Sequence, residues 1–245
     1  MNYRLLGKSG LRVSEFCLGT MTFGEDWVWG SSKDEAKKIY DAFREAGGNF
    51  IDTANIYTNG TSESFLGEFL KGHRESVVLA TKFTNAAPGT DPNAAGNHRK
   101  NMVQAVEASL KRLQADYIDL YWVHIWDQIT PVEEVMRGLD DLVRQGKVLY
   151  VGISDAPAWW IAQANTLATL RGWSPFVGSW SNRMRSVAAW SPLSSGVLTG
   201  KYHGHGSSDC SLDQAVFDLQ PNCWLHPAPL IAWKKAKHQR SQDCR

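Results

Sequence analysis

Short apolar runs alternate with longer stretches of helical period along most of the chain. Residues 16–18, 49–51, 77–81, 117–123, 148–153 and 175–178 form the apolar runs and read as buried strands. Between them, Ala36, Ile39, Tyr40 and Phe43 recur at spacings of three and four, which predicts one buried helix stripe. The same spacing links Phe65, Leu66, Phe69 and Leu70, then Val103, Val106, Leu110 and Leu113, then Val135, Met136, Leu139, Leu142 and Val143. One more helix is predicted over about 158–170. Ser32 and Glu35 have the spacing of a capping box, which starts the first helix and carries it to about residue 46. Thr130-Pro131-Val132-Glu133 repeats that signature, with proline at the first helical position. Ahead of all these, residues 3–6 and 11–13 flank Gly7-Lys8-Ser9-Gly10, which predicts an N-terminal β-hairpin.

Strands and helices alternating at this spacing predict βα units and a parallel sheet. The competing architecture, a doubly wound open sheet, usually carries a G-x-G-x-x-G phosphate loop after its first strand. Gly19-Thr20-Met21-Thr22-Phe23-Gly24 does not fit that loop, so the pattern favours a TIM-type (β/α)8 barrel. The pattern then breaks. Residues 187–192 read as another buried strand, yet only residues 179–186 separate it from Gly178. A parallel crossover needs about a dozen residues, normally carrying a helix. The barrel is therefore expected to be incomplete, with about one βα unit missing after residue 178 and the strand-8 region lacking. Residues 1–202 are assigned to the barrel and 203–245 to an irregular C-terminal tail with no sustained period of 3.6 or 2. That tail gathers Cys, His, Trp, Gln and Pro, a composition that a shifted reading frame also produces. An open barrel exposes two edges. The tail patching the gap, or a homodimer formed through it, are the two expected repairs.

Composition narrows the function classes. With 245 residues, 43% of them hydrophobic, the chain can bury one sizeable core. A formal charge of +1 and no Lys/Arg block argue against nucleic acid or an acidic membrane surface as partner. The start, Met1-Asn2-Tyr3-Arg4-Leu5-Leu6-Gly7, lacks the apolar run of a signal peptide, and no stretch reaches the length of a membrane span. The four cysteines, Cys17, Cys210, Cys223 and Cys244, lack paired metal-ligand spacing, so neither a metal site nor a disulfide framework is expected. These features together point to a cytoplasmic location.

The candidate chemistry lies at strand ends. Asp52 follows the strand at 49–51 and Tyr57 comes five positions later; Lys82 ends the next strand and His124 the one after. In a parallel barrel these ends share one face. Singly, a strand-end lysine or aspartate reads as a structural ion pair, and a strand-end histidine as a satisfied core residue. Jointly they suit carbonyl reduction. A lysine beside a tyrosine is expected to lower the phenol from its ordinary ~10, and an aspartate keeps that lysine charged. A histidine can orient a carbonyl oxygen, while hydride arrives from a reduced nicotinamide and Tyr57 gives the proton. A serine hydrolase using Ser191 or Ser194 with His124 is the weaker alternative, because no G-x-S-x-G elbow supports it.

Several motifs together carry a family resemblance. Residues 19–24, Asp52-Thr53-Ala54 with Tyr57, Ala80-Thr81-Lys82, His124, Val151-Gly152-Ile153-Ser154-Asp155 and the run 191–201 resemble the aldo-keto reductases, over residues 1–178 and again over 187–202. The resemblance implies a (β/α)8 barrel without metal that binds NADPH, or NADH in some members, and reduces a small-molecule carbonyl. It assigns Asp52, Tyr57, Lys82 and His124 to the catalytic tetrad. It places Gly19, Thr20 and Met21 under the nicotinamide, and Ser154 and Asp155 at its carboxamide. Aspartate replaces the commoner asparagine there, and can accept from the amide nitrogen but not donate to its oxygen. Ser191, Leu193, Ser195, Gly196 and Lys201 would line the pyrophosphate, and Trp27, Trp29 and Trp126 are candidate walls of the substrate pocket. The family's strand-6 glutamine, its stacking tyrosine and its 2′-phosphate segment have no counterpart. The alternative is thus a catalytically impaired remnant or scaffold that no longer binds nucleotide.

Overall fold

The computed structural model describes residues 1–180 apart from 87, 88 and 90. The strand expected at 187–192, the boundary after residue 202 and the tail lie outside the described residues. So do Ser191, Leu193, Ser194, Ser195, Gly196 and Lys201.

The chain opens with the predicted hairpin, β1 (Tyr3–Leu5) paired antiparallel with β2 (Arg12–Ser14). It continues through β3 (Cys17–Gly19), α1 (Lys33–Glu45), β4 (Phe50–Asp52), α2 (Thr61–Phe69), β5 (Val78–Phe83) and α3 (Arg99–Leu113). Then follow β6 (Ile118–Val123), α4 (Val132–Arg144), β7 (Val148–Ser154), α5 (Ala158–Arg171) and β8 (Phe176–Trp180). Strands β3 to β8 form one six-stranded sheet in sequence order, and every pair is parallel. A doubly wound sheet reverses direction at its switch point. This sheet steps one way only, which is the wall of a barrel.

Both faces of the sheet are covered, which explains why the strands read as continuous apolar runs. On one face Phe50, Val78, Ala80, Leu120 and Trp122 form an inner cluster with Val13 of the hairpin, and Leu6, Leu11, Tyr150 and Val177 pack against it. On the other face Ile51, Leu79, Tyr121, Val151 and Ile153 meet Ala36, Tyr40, Met102, Val106, Val135, Met136, Leu139 and Ala164 of the helices. The hairpin seats through its turn. Gly7 has φ +52° and lies so close to β8 that a Cβ there would fall 1.7 Å from the Val177 carbonyl oxygen. Ser14 ties the hairpin to β4, accepting from the Phe50 amide at 3.3 Å and donating to the Phe16 carbonyl at 2.6 Å.

Gly152 leaves room for the largest inner side chain. A Cβ at this position would meet the Trp122 ring at 2.4 Å. Gly152→Ala is expected to cost about 1–3 kcal/mol by overpacking, read as a lowered urea midpoint with an unchanged slope.

Helix phases differ from expectation at two positions. Ile39 and Val103 are 44% and 38% exposed, so neither belongs to the buried stripe. In α3 the stripe is Met102, Ala105, Val106, Ser109 and Leu113, with Leu110 at its edge. The capping box at Ser32 forms as predicted. The one at Thr130 does not, because the loop claims its hydroxyl: Thr130 Oγ1 donates to Asp127 Oδ2 at 2.6 Å, and Pro131 occupies the cap position of α4. No helix among the described residues is long and apolar enough to cross a membrane.

Candidate active site

The site grows from the end of β4. Beyond Asp52 the main chain hangs on β5, with the Thr53 amide donating to the Ala80 carbonyl at 2.9 Å and the Asn55 amide to the Lys82 carbonyl at 3.1 Å. A tight 3-10 turn, Tyr57–Gly60, then sets Tyr57 against Lys82. Thr58 and Asn59 sit there at φ 45° and 56°, the left-handed region that a β-branched residue avoids. Such strain persists where the surroundings over-determine it. Here the Thr58 hydroxyl donates to the Phe23 carbonyl at 2.6 Å and accepts from the Ser62 amide at 3.1 Å. Ser62 in turn bonds the hydroxyls of Thr20 and Thr53, at 2.8 and 2.9 Å. Thr20 is buried within this cluster, its hydroxyl 3.1 Å from the Asp52 carbonyl.

Asp52, Tyr57, Lys82 and His124 are brought together. Asp52 and Lys82 lie on the inner face of adjacent strands and form a buried ion pair. The Lys82 ammonium donates to the Asp52 carboxylate, to the Thr53 carbonyl at 2.8 Å and to the Tyr57 hydroxyl oxygen at 3.1 Å. An ammonium has three donors, and each has an acceptor. Burial disfavours this ammonium, but Asp52 and Tyr57 outweigh that cost and raise its pKa above the ordinary value. Burial likewise pushes the Asp52 carboxyl up, against the pull of Lys82 and of a hydrogen bond from the Trp122 indole.

The phenol departs from expectation. Burial raises the Tyr57 pKa above 10, and the nearby Lys82 only moderates the rise. Desolvation thus exceeds the ion's attraction, and Tyr57 is a protonated phenol at neutral pH rather than a phenolate.

His124 follows β6, its amide donating to the Phe83 carbonyl at 3.2 Å. Its ring lies edge-on to the Tyr57 ring with centroids 6.0 Å apart. Burial, then the charge of Lys82, lowers its pKa to about 3, so the imidazole is neutral. Nδ1 is buried with no hydrogen-bond partner among the described residues. A buried orphan N–H is rarer than an under-satisfied acceptor, so we assign the proton to Nε2. A histidine depressed this far binds its proton in the unfolded chain near pH 6.5 but in the folded chain only near pH 3. Stability should therefore be intact above about pH 6.5 and decline as pH drops toward 3, by about 1.4 kcal/mol for each pH unit crossed. The urea midpoint of His124→Gln is expected to decline less steeply over that window.

The remaining candidates flank this cluster. Trp27 and Trp29 come from the loop after β3, with ring centroids 5.6 Å apart, and Trp27 lies edge-on to Tyr57 at 6.5 Å. Gly30, at φ +148°, lets the neck of that loop close, since a Cβ there would fall 1.9 Å from the Gly24 carbonyl oxygen. Trp126 lies beyond His124, its amide donating to the Asp155 carbonyl at 3.3 Å. Ser154 is buried at the end of β7, and Asp155 follows in a left-handed turn with φ 44°, its carboxyl pKa raised by desolvation. Gly19 pairs in register with Asp52, and a Cβ built on it would meet nothing within 4 Å. Met21 is half-buried in the same loop.

Three residues escaped the sequence reading: Ser62, Trp122 and Trp159. Trp122 was within reach, because it stands two positions before His124 and period two puts it on the inner face with Asp52 and Lys82. Nothing local marks the other two.

The sequence profile of the Aldo/keto reductase family matches residues 15–178. The chain belongs to the aldo/keto reductase family. It is 47% identical over 198 residues to the norsolorinic acid reductase of Aspergillus flavus, covering 75% of this chain and 51% of that protein. It is 44% identical over 195 residues to the aryl-alcohol dehydrogenase [NADP(+)] of Phanerodontia chrysosporium, covering 73% and 51%. A norsolorinic acid reductase B of Dothistroma septosporum is 44% identical over 199 residues, covering 76% and 51%. This aldo/keto reductase chain thus spans about half the length of the curated relatives it matches.

Proposed function

We propose that the protein reduces aldehydes or ketones to alcohols with NADPH, and that Tyr57 gives the proton. The observation that carries this reading is the saturated ammonium of Lys82. Its bond to the Tyr57 oxygen uses that oxygen as acceptor and leaves the phenolic hydrogen for a substrate. The hydride to the carbonyl carbon would come from a reduced nicotinamide when one is bound. His124, neutral and protonated at Nε2, donates a hydrogen bond to the carbonyl oxygen and holds it near the phenol. Tyr57 transfers its proton to that oxygen, and the phenolate left behind is stabilised by Lys82, which Asp52 keeps charged. Gly19, Thr20, Met21, Ser154 and Asp155 would hold the nicotinamide end. Ser191, Leu193, Ser195, Gly196 and Lys201 are assigned to the pyrophosphate.

The tryptophans beside the cleft and the aryl-alcohol dehydrogenase among the relatives support aryl aldehydes as the substrate class. That relative's name specifies NADP(+), which favours NADPH over NADH. In a titration NADPH is expected to quench tryptophan fluorescence with a micromolar midpoint, and 4-nitrobenzaldehyde is expected to be reduced. No quenching at millimolar NADPH would turn the reading toward the nucleotide-free scaffold.

A further inference from the structure

Trp159 is 60% exposed, more than Trp29 at 53%, while its neighbour Trp160 is buried in the core. It lies in the first turn of α5, directly after the β7 end that carries Ser154 and Asp155. Its ring meets Trp126 edge-to-face, with centroids 5.4 Å apart and planes at 89°. The main chain joins the same two loops through the bond from the Trp126 amide to the Asp155 carbonyl. A second pair, Trp27 and Trp29, stands at the β3 end, against Tyr57. In the sheet order β3 to β8, Asp52 and Lys82 sit on β4 and β5, and His124 follows β6. The tetrad therefore lies between two tryptophan pairs, one from the β3 side and one from the β6–β7 side. Nothing in the fold of α5 requires an indole at 159, since the buried stripe of this helix is Trp160, Ala164 and Ala168.

We propose that Trp159 is a specificity-determining residue, which with Trp126 forms the far wall of the cleft and favours carbonyl substrates with a fused, planar aromatic system over single rings. This rests on the carbonyl-reductase reading for the identity of the cleft, but not on turnover. An aromatic contact of this kind contributes about 0.5–1.5 kcal/mol beyond burial, which corresponds to roughly a threefold to tenfold preference. The discrimination requires that a single ring held at the tetrad stop short of Trp159 and that a second fused ring extend to it.

The test is calorimetric titration of the full chain with two unreactive amides, 2-naphthamide and benzamide. Wild type should prefer 2-naphthamide. Trp159→Ala should lose roughly threefold to tenfold of that preference, with benzamide affinity unchanged within about twofold. Trp159→Phe should retain the preference, and Trp159→Leu, which keeps apolar bulk without the ring face, should lose it. An unchanged preference in Trp159→Ala and Trp159→Leu, or an equal loss for both amides, overturns the proposal. Reduction of 4-nitrobenzaldehyde by the same preparations separates the two readings. Absent turnover with an intact naphthyl preference sinks the reductase assignment alone. Turnover with no naphthyl preference sinks the role of Trp159 alone.

Discussion

Tyr57→Phe is expected to abolish carbonyl reduction, by about 10²- to 10⁴-fold in kcat/KM, while NADPH still quenches tryptophan fluorescence. The substitution removes one oxygen and leaves the ring, its edge contacts with Trp27 and His124, and the strained turn that follows. The loss should fall on kcat, because the proton moves only in the transition state. Lys82 loses one of its three acceptors but keeps Asp52 and the Thr53 carbonyl, so the fold should hold. The pH dependence follows from the direction in which burial moves the phenol. With the Tyr57 pKa above 10, reduction should be flat through neutral pH and decline only as the phenol ionises in alkali. His124 is already neutral above about pH 3 and should add no acidic limb in the working range. Ester cleavage that survives Tyr57→Phe but not a change at Ser191 or Ser194 would instead favour the hydrolase.

Strand order, the hairpin and the meeting of Asp52, Tyr57, Lys82 and His124 were legible because each rests on a strong local signal. Strands β4, β5 and β6 are buried on both faces, so their apolar runs are conspicuous, and residues at strand ends must share a side. Helix phase was less legible where an apolar residue borders the stripe. Ile39 sits one position from Tyr40, and spacing alone cannot say which of the two faces inward. The capping box at Thr130 failed because Asp127, three residues upstream, offers that hydroxyl a carboxylate within the loop, a competition invisible to the four-residue signature. The direction of the phenol pKa was misjudged because sequence shows that a lysine is near a tyrosine but not how thoroughly both are desolvated. Trp159 was overlooked because its partner Trp126 lies on a different βα unit.

Lys82→Met is expected to be the most destabilising single change at the site, at about 3–5 kcal/mol, and to remove activity with it. Methionine fits the volume but leaves the Asp52 carboxylate buried without its counter-ion. The sign of the pH effect identifies the cause. In the variant nothing from Lys82 offsets the burial that already raises the Asp52 pKa, so the folded chain holds this proton to higher pH than the unfolded chain does. Stability lost through Asp52 should therefore be smallest below about pH 4, the ordinary carboxyl range, and should grow as pH rises through the folded value. Urea titrations of the variant minus wild type across pH would show this slope, opposite in sign to the acid loss attributed to His124. Adding Asp52→Asn removes the orphaned charge and should recover much of the stability without restoring turnover. If the double variant is no more stable than Lys82→Met alone, the pair is not the electrostatic unit that holds the phenol. The charge support proposed for Tyr57 would then fail with it.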